Sequence, residues 1–110
     1  VIHVVPSVGR IVHYRLADMD VEQINKRRAD ASNLNAAGVT LASQELGAQI
    51  HHGNQVSAGD IYPMVIVRVW GSTPESCVNG QVLLDGNDAL WVTSRSQGSG
   101  EAQWAAPERV

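Results

Sequence analysis

Arginine and aromatic side chains are the groups through which this chain has most chemistry to offer. Arg28, Arg68 and Arg95 carry planar guanidinium forks suited to paired hydrogen bonds with phosphate oxygens, and Tyr14, Trp91 and Trp104 carry flat rings on which a base can stack. Together the six describe a site for a cyclic nucleotide or a related phosphate-bearing small molecule. Arg10, Arg15, Tyr62 and Trp70 add guanidinium groups and rings on or beside the same strands. A plainer reading stands beside this one: with three Trp, two Tyr and no Phe, the chain needs its aromatics first as core. Arg28 sharpens the choice. It falls on the inner stripe of a helix, where a guanidinium requires an anion, from Asp or Glu of the same fold or from a ligand.

Other reactive groups lead nowhere comparable. His13, His51, His52 and Asp60 offer imidazole and carboxylate for zinc or iron, but adjacent strand residues point to opposite faces and the spacing matches no metal motif. Cys77 is the sole cysteine, expected in a loop without a helix terminus or basic neighbour to favour its thiolate. Gly98-Ser99-Gly100 lacks the lysine and helix of a phosphate loop, and Ser94 and Ser96 lack a nucleophile elbow. Asp85-Gly86-Asn87-Asp88 is rich in oxygen ligands, yet a hairpin turn accounts for it and the terminal glutamate of a calcium loop is missing. The expectation is a binding protein rather than an enzyme, with no cofactor and no metal.

The elements that must position these residues follow from periodicity. In Gly9 to Leu16, Val12, Tyr14 and Leu16 alternate with Ile11, His13 and Arg15, which predicts a strand. At Ala17-Asp18-Met19-Asp20 the β-branched residues give way to helix formers, and either aspartate suits a first turn. Val21, Ile24, Arg28 and Ala31 then make a thin inner stripe, with Lys26 and Arg27 outward. A short helix at Leu41 to Leu46 and a short strand at Ala48 to His51 are weaker expectations. Ile61 to Trp70 is the strongest strand signal and belongs at the centre of a sheet. Gln81 to Leu84 and Ala89 to Thr93 form a hairpin, and a polar tail over about 95–110 re-engages through Trp104. The sum is one domain over 1–110, of the α+β class: a small curved antiparallel sheet or SH3-like barrel, with a helical insertion over about 18–46 between the first two strands.

Composition sets the outer bounds. The 110 residues suffice for a single core, and 8 Lys plus Arg against 11 Asp plus Glu give a formal charge of −3, which disfavours direct nucleic-acid binding. No apolar run approaches a membrane span, and the first residues lack the character of a signal peptide, so a cytosolic protein without a membrane partner is expected. The thin helical stripe points to a homo-oligomer, in which a second copy buries what the monomer leaves open.

Three blocks carry a resemblance over nearly the whole chain. Gly9-Arg10-Ile11-Val12-His13-Tyr14, the run from Asp60 to Trp70 and the run from Val78 to Asp88, with a closing Trp104 and Pro107, resemble a family of small uncharacterised proteins of tailed bacteriophages and prophages. That family often ends in Trp-x-Trp-Pro, whereas Ala106 stands here in place of the second tryptophan. The resemblance implies a phage gene expressed in the bacterial host cytoplasm. In that setting the leading expectation is an anti-defence sponge that sequesters a nucleotide-like immune signal. The alternatives are a virion component, such as a head-decoration or tail-associated protein, and a direct binder of a host protein.

Overall fold

The computed structural model describes residues 3–34, 55–86 and 88–107. Its elements are β1 (Ile11–Arg15), α1 (Asp18–Leu34), β2 (Ile61–Trp70), β3 (Cys77–Leu83), β4 (Ala89–Arg95) and β5 (Trp104–Ala105). The named strands all pair antiparallel, in the order β4-β3-β2-β1-β5, so β2 is central as its continuous apolar run predicts. The fold is α+β, with the helix inserted between the first two strands. The expected second helix at 41–46, the strand at 48–51 and His51 and His52 lie outside the described residues.

Of the two expected shapes, the curved open sheet is the one observed. The strand ladder is not closed into a barrel. Beyond β4 the chain turns back to β5 through one parallel bridge, Gln97 to Trp104. There the Trp104 amide donates to Ser96 O at 3.2 Å and the Gly98 amide to Trp104 O at 2.9 Å. Register shifts between Ile66 and Arg68 and between Val78 and Gly80 supply curl, because an extra residue on one strand increases local twist. Gly80 is required at that crossing: a Cβ there would lie 2.7 Å from Met64 Sδ and 2.8 Å from Val65 O.

The period-2 pattern decides which side chains are inside. Val12, Tyr14 and Leu16 of β1 and its continuation, Met64 and Ile66 of β2, Val78 and Val82 of β3, Leu90 and Val92 of β4 and Trp104 of β5 are buried on the inner face. Ile24 of α1 joins them. The helix begins after Ala17, and Asp20 reaches back to accept the Ala17 amide at 2.9 Å, satisfying one of the donors a first turn leaves open. Asp20 and Ile24 are buried and Val21 partly so, while Lys26 and Arg27 face water. Strand bounds differ from the sequence expectation, and β4 runs on to Arg95 rather than ending at Thr93. β3 starts at Cys77 rather than Gln81, which places Cys77 in a strand instead of a loop.

The N-terminal segment is fastened by a side chain. Gln97 accepts the Val4 amide at 3.0 Å and donates to Val4 O at 2.9 Å and Pro74 O at 3.0 Å. A primary amide can supply a donor and an acceptor side by side, so it substitutes for a strand neighbour. Gln97→Ala is expected to reduce the unfolding free energy by about 2 kcal/mol, read as a lower urea midpoint at unchanged slope. Gln97→Glu should cost at least as much, because a carboxylate offers no donor to the Val4 and Pro74 carbonyls.

Candidate functional site

Two of the six expected ligand-binding residues sit in the interior and a third, Arg95, is half-buried against them. Tyr14 and Trp104 have no exposed surface, so neither ring is open to a base. The Tyr14 hydroxyl donates to Asp20 Oδ2 at 2.7 Å, and Arg95 Nη2 lies 3.6 Å from Asp20 Oδ1. Trp104 Nε1 donates to Arg95 O at 3.1 Å. The Arg95 guanidinium therefore serves the buried carboxylate of its own fold. Burial, and then the bond to Asp20, push the Tyr14 hydroxyl well above its usual pKa. The fourth, Arg28, has found the anion its position demands: Nε donates to Asp88 Oδ2 at 2.9 Å and Nη2 to Asp88 Oδ1 at 3.1 Å. This two-point pairing holds the guanidinium pKa above its ordinary value.

Arg68 and Trp91 lie instead on the outer face of the sheet. The register builds that face in rows. Ile11, Val65, Gln81 and Trp91 are successive partners across four strands, and Ala105, His13 and Pro63 form the next row. Trp91 is 46% exposed, Trp70 50%, Ile11 56% and Val67 46%. Ile24 of the helix joins the inner cluster, so among the described residues no helix packs on the outer face.

At one end of the face, the Arg68 guanidinium stands over the Trp70 ring, 3.9 Å from its centroid. Asn79 fixes that ring, because its Oδ1 accepts both Trp70 Nε1 at 3.1 Å and the Ser94 amide at 2.9 Å. Trp70 was not among the six residues chosen from sequence. The signal for it is the two-residue step from Arg68, which puts both side chains on one side of a strand. At the other end a shallow pocket of about 110 Å³ is lined by His13, Arg15, Ile61, Ser99 and Gln103, among others. Arg15 Nη1 donates to Gly59 O at 3.0 Å, which holds the guanidinium at the pocket. Gln103 anchors the pocket wall, accepting the Gly100 amide at 2.9 Å and donating to Ser96 Oγ at 3.2 Å.

Charge is divided between the layers. The five described strands hold Arg15, Arg68, Arg95 and His13 and no Asp or Glu, while the described carboxylates lie on α1 and in the turns. Compared with known proteins, the chain matches no family model, no curated protein and no solved structure. No helix among the described residues is long and apolar enough to cross a membrane.

Proposed function

We propose that the chain is a non-enzymatic phage protein that captures a phosphate- and ring-bearing ligand of the nucleotide class on its outer sheet face. Its service to the phage is to withhold such a ligand from host defence. The observation that carries the reading is the Arg68, Trp70 and Asn79 assembly one row from Trp91: a guanidinium standing over an indole, with a second exposed indole on the same face. The resemblance to phage proteins supplies the biological setting.

Titration calorimetry and thermal-shift assays against cyclic dinucleotides, cyclic trinucleotides, cyclic ADP-ribose isomers and short oligonucleotides test it. Binding is expected with at least one member, weakened roughly 5- to 150-fold by Trp91→Ala, the range that loss of one stacking partner produces. Arg68→Ala should weaken the same ligand. Absence of heat and of thermal shift across the whole panel overturns the reading.

A second reading rests on a different observation. Ile11, Val67 and Leu83 expose apolar area around the tryptophans, as surfaces that dock on protein do. In that case the partner is a neighbour in the virion, a host protein or another copy of the chain. Mass spectrometry of purified particles would find the protein in stoichiometric amount if it belongs to the virion, and native mass spectrometry would report self-assembly.

A further inference from the structure

We infer that the outer face binds an extended single strand of nucleic acid, laid along β2 from the pocket at Arg15 to the ring of Trp70. This rests on the reading that the face takes nucleotide-class ligands, and it narrows that class. Size is the first argument. Small-molecule sites are typically concavities of about 300–1,000 Å³, whereas the pocket on this face measures about 110 Å³ and is open. A single residue-sized group fits it, and a whole cyclic dinucleotide does not.

Spacing is the second argument. The basic groups stand at two separated stations, His13 with Arg15 at one end and Arg68 at the other. Arg15 is opposite Ile61, the first residue of β2, and Arg68 lies two residues before its last. Seven residue steps from Ile61 to Arg68 at about 3.3 Å give roughly 23 Å between the stations. A ligand touching both stations must be a polymer. About four nucleotides, the lower end of the range for small sheet-based binders, is the corresponding length. Trp91 lies one row from Arg68 along the strand axis and two strands to the side of β2, where a base turned out from the backbone would stack.

The third argument is electrostatic. A formal charge of −3 counts against a polyanion when it is averaged over the molecule. The average conceals the division by layer: the strands under this face contribute arginine and histidine and no carboxylate, so a phosphate backbone meets no facing acid along them. Asp60 and Glu101, in the turns beside the pocket, are the acids nearest in sequence to its walls, and they confine the favourable track to the sheet itself. The middle of the track carries Val65, Pro63 and Ile11, with His13 opposite Pro63 and Gln81 opposite Val65.

Fluorescence anisotropy with labelled oligothymidylates of increasing length tests the inference on the intact chain. Affinity is expected to climb between two and about six nucleotides and then level. Two phosphate contacts at about −0.7 each set a salt slope near −1.4, a loss of about sevenfold between 50 and 200 mM salt. Arg15→Ala should reduce that slope by about half and weaken the hexamer. His13→Ala, at an exposed position, should weaken it as well if Arg15→Ala perturbs the fold. If mononucleotides or cyclic dinucleotides bind as tightly as the hexamer, the extended strand is overturned and the nucleotide reading survives. Binding of no member of either series overturns both.

Discussion

Asp20→Asn is expected to remove about 3–5 kcal/mol of stability, enough to leave a domain of ordinary stability marginal at 37 °C. Asp20 is 1% exposed and is the meeting point of three groups: the Tyr14 hydroxyl, the Ala17 amide and the Arg95 guanidinium. Asparagine keeps one acceptor for the first two and turns an NH₂ towards the third, so donor faces donor. Arg95 suffers most, because its Nε is buried and has no hydrogen-bond partner among the described residues. Urea denaturation measures the loss, and Tyr14→Phe, which removes a single bond, should cost about 1–2 kcal/mol.

The same cluster sets the alkaline limit of the fold. The folded chain holds the Tyr14 hydroxyl neutral above its ordinary pKa of 10.0. Below pH 10 both states keep the proton, and this contribution to stability is complete. As pH rises past 10 the unfolded chain ionises while the folded one does not, so stability falls with pH. Denaturation followed between pH 9 and 11 should show the decline, and Tyr14→Phe should flatten it. A decline of equal steepness in the variant would assign it to other groups.

Trp104→Ala is the second large effect, about 3–5 kcal/mol. The indole is wholly buried against the inner face, and its Nε1 satisfies Arg95 O at the end of β4. Its removal opens a cavity at the place where β5 and the chain beyond β4 meet. Trp104→Phe should restore most of the packing but leave the Arg95 carbonyl without that donor, and so cost less than alanine. Thermal melts of the two variants against the parent rank the terms, and equal losses would show that the hydrogen bond outweighs the volume.

How much of this was legible beforehand depends on the range of the interaction. Alternation placed Val12, Tyr14 and Leu16 on one side of β1, and they are buried together. The same alternation already conflicted with a stacking role for Tyr14. The inner position of Arg28 required an anion, and the hairpin turn supplied it as Asp88. What periodicity could not give was pairing at long range. Asp20 meets Arg95, and Gln97 meets Val4, only because of how the sheet curls, and no local pattern encodes that. Trp70 and the pair of His13 and Arg15 were likewise readable as two-residue steps. Their value as a site depended on knowing which face the helix packs against.

The place of β5 has a consequence for how the chain reaches this state. β1 lies inside the sheet, but its second neighbour is formed by Trp104 and Ala105, some ninety positions further along the chain. Until those two residues arrive, Ile11 to Arg15 form a rim with unsatisfied amides and carbonyls, open to pairing with any other extended segment. Non-local closure of this kind is slow. A ribosome-bound or prematurely terminated chain lacking Trp104 would therefore be the aggregation-prone species, and the two-residue β5 acts as the guard that retires that hazard.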